Sequence, residues 1–144
     1  MNPTVRKILA VLAGIVVAVC TISLVEWLGH QVYPVPEGLD PMKDPDGFVA
    51  YLESVPVGAK AFVVAAWTLG AFLGSFVGIK IARGAGGLVG GFVGGFVILG
   101  IAINATMFPG QWPMAVVGAI LVIIAAWLAA RAALPGPLRP LTVA

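Results

Sequence analysis

The stretch GGLVGGFVGGFVILG, residues 86–100, sets three glycine pairs four residues apart inside an unbroken apolar run. In water each glycine destabilises a helix by about 1 kcal/mol relative to alanine. In the interior of a bilayer an unpaired backbone N–H or C=O has no water to bond. A chain crossing it is therefore helical whatever its propensities. The stretch is a helix if it lies in lipid, and it then presents bare backbone that some other helix can approach.

The rest of the chain puts it in lipid. Of 144 residues, 60% are hydrophobic and 10% charged, with a mean hydropathy of +1.08. A soluble domain carries about 25% charged residues. Four apolar segments stand out, near 8–28, 61–79, 87–108 and 114–130. Each is long enough to cross a hydrocarbon core about 30 Å thick at 1.5 Å per residue. The expectation is an all-α membrane protein, a single four-span domain over 1–144, with an outer loop at 29–59 and a C-terminal tail at 131–144.

Charge sets the expected orientation. Arg6 and Lys7 precede the first span, Lys80 and Arg83 lie between the second and third, and Arg131 and Arg139 follow the fourth. In a four-span arrangement these fall on one side, and only Lys43 and Lys60 fall on the other. The positive-inside rule then places both termini in the cytoplasm, and the compact chain with its clean bias reads as a protein of a prokaryotic plasma (inner) membrane. All six acids, Glu26, Glu37, Asp40, Asp44, Asp46 and Glu53, lie at the outer end. Trp27 and Trp112 fall at the outer boundary and Trp127 near the inner one, as interfacial aromatics do. Val17-Ala18-Val19-Cys20 faintly resembles a lipoprotein cleavage box. The apolar run continues past it and Val19 is not small, so the first span is expected to be an uncleaved anchor.

The outer loop opens with YPVPEGLDP, residues 33–41, stiffened by Pro34, Pro36 and Pro41. In the following DPDGFVAYLESVP, Asp44 or Asp46 can cap a short helix whose Phe48, Tyr51, Leu52 and Val55 share one face. It is expected to lie on the outer surface with that face down. The same residues partly match a calcium-loop spacing, but Met42 occupies the first ligand position and prolines stiffen the segment.

Small residues let membrane helices approach closely. The second span carries Gly70, Gly74 and Gly78, and the link to the third is short. In an antiparallel hairpin Gly78 would face Gly86, Gly74 would face Gly90, and Gly70 would face Gly94. The expectation is a glycine zipper between spans two and three. Gly87, Gly91 and Gly95 form a second ridge about 100° around the helix, free to receive another span or another chain. The segments GAFLGSFV (70–77) and GGFVGGFV (90–97) form a weak internal repeat that crosses the membrane in opposite directions. Inverted repeats occur in transporters.

The ionisable residue of interest is Glu26, about 3–5 Å inside the outer boundary at 1.5 Å per residue. Ser23 and His30 share its helix face. Lys60 and Asn104 lie at similar depth on other spans. These five form a candidate outer polar cluster, able to act as a protonatable gate or, with loop carboxylates, as a metal site. Glu26 and His30 supply two ligands where zinc takes three or four, so no metal or other cofactor is expected. His30 is the sole histidine, and neither a nucleophile triad nor a zinc or phosphate-loop motif is present, so no enzyme is expected. The end-of-span position of Glu26, the strong charge bias and the long first outer loop also separate the chain from the small multidrug-resistance transporters, whose Glu lies mid-span. No nucleic-acid patch is present. The partners expected are the lipid bilayer and either a second copy or a larger membrane complex, making the chain an accessory or self-associating bundle. A small channel or proton-coupled transporter around Glu26 is the alternative, and a metal-handling or enzymatic site at Glu26 and His30 a further one.

Overall fold

The computed structural model describes residues 2–83, 86–108 and 110–134. It is helical, with no strand among the described residues. The helices are α1 (Pro3–Val32), α2 (Pro45–Ser54), α3 (Val57–Ala82), α4 (Gly86–Met107) and α5 (Trp112–Ala133). All but α2 are long and apolar enough to cross a membrane. They extend past the apolar segments read from sequence. α1 runs on to Val32 and α3 begins at Val57, which shortens the outer loop, and α5 takes the first three residues of the expected tail. The greater part of that tail, with Arg139, lies outside the described residues.

Local chemistry explains where the helices stop and start. The Asn2 side chain accepts from Thr4 N at 2.9 Å, and Pro3 follows it at the first helical position. Asp44 caps α2 in the same way, accepting from Gly47 N at 2.9 Å with Pro45 next. Residues 45–54 are thus helix rather than a metal-binding loop. α3 ends at Arg83, which takes a left-handed conformation (φ 52°) while its N–H bonds Ile79 O. A non-glycine residue is uncommon there.

α3 and α4 touch each other, and each also packs on α1 and α5. The most extensive contact is α1 on α3. Ala10, Gly14 and Ala18, each four residues on from the last, are buried on α1. They meet Gly78, Gly74 and Gly70 of α3. A Cβ built on Gly74 would lie 2.5 Å from Gly14 O, and one on Gly78 would lie 2.9 Å from Ala10 O. One on Gly70 would lie 2.9 Å from Ala18 O.

This corrects the expected zipper. The α3 glycines do not pair with Gly86, Gly90 and Gly94; they form their seam with α1. Across the α3–α4 hairpin Gly78 approaches Val89 Cγ1, and Gly90 approaches Ile79 Cδ1. The buried Ile79 and Val89 side chains stand there in place of facing glycines, while Val93 reaches Gly14 of α1. The first α4 ridge instead turns toward α5, with Gly86 against Leu134 and Gly94 against Ala126. On the other side of α5, Gly118 receives the Trp67 ring of α3. The physical reason is that every span is apolar around its whole circumference, so hydropathy does not set its rotation. Shape does, and the narrow Ala10–Gly14–Ala18 face of α1 is the closest complement to the α3 glycines. The two copies of the weak repeat accordingly sit in different surroundings.

Candidate functional site

Two features stand where the sequence placed function: a cavity at the end of the bundle beneath α2, and the second glycine ridge of α4.

The cavity has a volume of about 330 Å³, within the range of small-molecule sites. The last turns of α1 bring Glu26 and His30 to it, α3 brings Lys60, α4 brings Asn104, and the turn before α5 brings Gln111. Four of the five residues of the expected polar cluster therefore line one space. The fifth, Ser23, is exposed and lies off it. Gln111, buried at 6% exposure, is a lining residue that sequence reading did not single out. It falls in the turn between spans, where neither periodicity nor depth marks it.

The roof is the amphipathic helix. Phe48, Tyr51, Leu52 and Val55 of α2 line the cavity as one face, as their spacing predicted. Phe48 stacks at a tilt on Phe108 with ring centroids 5.3 Å apart, and Tyr33 meets Phe62 edge-on at 6.1 Å. Gly29 makes the floor narrow. A Cβ there would be 3.1 Å from Phe62 Cβ, so its absence lets α1 and α3 close beneath the pocket. The result is an aromatic chamber with a few polar groups.

Those polar groups are not locked together. Among the described residues the ion pair within 4.0 Å is Lys43 with Asp40 in the loop, at 3.5 Å. Glu26, His30 and Lys60 share the chamber without such a contact. No group of three or more His, Cys, Asp or Glu side chains able to hold a metal occurs among the described residues.

The second feature is on the membrane face. A Cβ built on Gly87, Gly91 or Gly95 meets no atom within 4 Å. All three glycines are exposed and floor a shallow groove of about 290 Å³ against Ile123, Ala126 and Trp127 of α5. Beside them on the same helix stand Leu88, Phe92, Phe96 and Leu99, all exposed. Bulky knobs thus adjoin an empty glycine furrow. At the edge of the groove Arg131 lies over the Trp127 ring at 4.0 Å.

In the bundle interior polar groups are few. The Thr21 and Thr68 hydroxyls bond back to the carbonyls of Val17 and Val64. The fully buried Ser75 hydroxyl has no hydrogen-bond partner among the described residues. Compared with known families, curated proteins and solved structures, the chain matches none.

Proposed function

We propose that this chain is a non-enzymatic membrane bundle that works by association, and that its docking surface is the α4 face built from Gly87, Gly91 and Gly95. The partner is a second copy of the chain. The observation that carries the reading is the open glycine furrow flanked on its own helix by Leu88, Phe92, Phe96 and Leu99. A two-fold interface uses the same patch twice. Knobs beside a furrow on one helix can fill the furrow of a copy while its knobs fill theirs. In lipid, where apolar burial alone gives no drive, such close van der Waals fit is the source of association. In this reading both termini face the cytoplasm of a prokaryotic cell, an orientation supported by Arg6, Lys7, Lys80, Arg83, Arg131 and Arg139. It requires no cofactor and no nucleic acid.

Native mass spectrometry of protein gently extracted from its own membrane tests this. The expected result is a homo-oligomer that falls to monomer in Gly91→Leu. A wild-type monomer, or an oligomer indifferent to Gly91→Leu, would defeat the proposal. Co-purifying foreign chains would instead make the protein an accessory subunit of a larger complex.

A second reading is favoured by one observation, the convergence of Glu26, His30, Lys60 and Asn104 on one aromatic chamber. That chamber suits a small apolar solute with a polar end, held or passed at the outer boundary. Proton-dependent flux lost in Glu26→Gln would support it. Flux unchanged in that variant would count against it.

A further inference from the structure

At the end of the bundle away from the aromatic chamber, α1 and α3 enclose an open groove of about 710 Å³. It is lined by Arg6, Phe76, Val77, Lys80, Ile81 and Arg83. Three of these are cations and none is an acid. Nor does the sequence hold an acid to neutralise them. Every Asp and Glu lies between Glu26 and Glu53. Glu26, the nearest along the chain, is on α1 about 30 Å from Arg6 at 1.5 Å per residue. At that distance it forms no ion pair with Arg6.

Of the three cations Arg6 is the least exposed. The Nε of Arg6 is buried and has no hydrogen-bond partner among the described residues. An atom so enclosed is out of reach of a ligand, so the contact open to one is the outer end of the guanidinium. Lys80 is partly accounted for, since its Nζ lies 5.5 Å from the Phe76 ring centroid. Arg83 stands at the C-terminal cap of α3, whose free carbonyls offset some of its charge. The lining holds no acid that pairs with any of the three.

The position and the lining identify what would. Two guanidinium groups and an ammonium form the donor set that recognises phosphate, with arginine forks bonding two oxygens at once and lysine acting as a point charge. The groove lies where the apolar spans end, at headgroup depth. Its remaining wall, Phe76, Val77 and Ile81, is apolar and continuous with the lipid-facing surface. A soluble anion has no use for that wall, whereas an acyl chain has. We infer that the groove binds the phosphate of an anionic phospholipid between Arg6, Lys80 and Arg83, with an acyl chain along Phe76, Val77 and Ile81. Basic pockets between membrane helices bind such headgroups.

The test compares lipid retention. Full-length protein in nanodiscs of phosphatidylcholine with graded phosphatidylglycerol is released into native mass spectrometry, and bound lipids are counted. Wild type is expected to retain phosphatidylglycerol in preference to phosphatidylcholine. Arg6→Gln and, separately, Arg83→Gln are expected to weaken that retention by about tenfold or more, as loss of a charge-assisted hydrogen bond does. Lys7→Gln removes the same charge one residue away, from an exposed side chain outside the groove. It is expected to change retention by no more than about fivefold, the effect of general surface attraction. Equal retention of the two lipids would overturn the inference, as would a Lys7→Gln effect as large as that of Arg6→Gln. Displacement of phosphatidylglycerol by inorganic phosphate at equal concentration would assign the groove to a soluble anion and overturn the lipid assignment. An unchanged helical signal and melting temperature in Arg83→Gln keeps the test independent of folding at the α1 terminus.

Discussion

Replacing Gly74 by alanine puts a methyl carbon 2.5 Å from Gly14 O, 2.8 Å from Ala18 Cβ and 3.1 Å from Ala18 N. Two of these three atoms are backbone and cannot rotate away. Carbon contacts are optimal near about 3.5–4.0 Å, so α1 and α3 must separate locally by about 1 Å. A gap of about 0.5–1 Å forfeits a quarter to a half of each affected contact. The loss falls along the whole seam from Ala10 to Ala18, because the helices are stiff. Overpacking of this kind costs about 1–3 kcal/mol. Gly91→Ala is the matched comparison, since it makes the same chemical change on a helix position where a Cβ meets no atom within 4 Å. In dilute micelles, where each chain is alone, it is expected to stay within about 0.5 kcal/mol of wild type. Reversible unfolding in mixed micelles, followed by circular dichroism, measures both. Equal destabilisation by the two variants, or a Gly74→Ala effect under about 0.5 kcal/mol, would refute the α1–α3 seam.

Three other outcomes follow from the same geometry. A Cβ on Gly118 would lie 2.6 Å from Trp67 Cε3, so Gly118→Ala should displace the buried Trp67 ring and reduce the near-ultraviolet circular dichroism of the tryptophans, while the exposed Trp27, Trp112 and Trp127 are unaffected. Asp44→Ala removes the acceptor for Gly47 N, and the start of α2 should lose about 1 kcal/mol of local stability, read as faster hydrogen exchange at Gly47 with the spans unchanged. Glu26→Gln should leave association untouched in native mass spectrometry, because Glu26 lines the chamber and not the α4 furrow; a loss of the oligomer would place the interface elsewhere.

The spans, the capped α2 and the chamber could be read in the sequence because each rests on a local or one-dimensional signal. Span number follows from apolar length. The α2 face follows from Phe48, Tyr51, Leu52 and Val55 at helical spacing beside a polar cap. The convergence of Glu26, His30, Lys60 and Asn104 follows from depth alone, since residues at one level on neighbouring helices have few places to go. Ser23 strayed because depth and a shared face fix a sector of the helix, not whether that sector is roofed.

Helix rotation left no such trace. Gly70, Gly74 and Gly78 repeat as regularly as Gly86, Gly90 and Gly94, and nothing about either stripe says which neighbour it meets. Sequence proximity favoured the hairpin. The structure gives the hairpin to Ile79 and Val89 and the close approach to α1. A signal existed in Ala10, Gly14 and Ala18, small residues at the same four-residue period, but it was hidden by the apolar residues around it. The basic groove was half legible. Its charges were visible as an orientation signal, while the burial of the Arg6 Nε depends on how α1 lies against α3.

The most direct measurement is disulfide cross-linking in native membranes. With Cys20, an exposed thiol, first changed to serine, single cysteines are placed at Gly87, Gly91 and Gly95 in turn, and at Ile120 on the lipid-facing side of α5 as the comparison. Association through the α4 furrow predicts rapid covalent dimers at the glycine positions, strongest at the one nearest the two-fold axis, and few at Ile120. Dimers no more frequent at any of the three glycines than at Ile120 would contradict it.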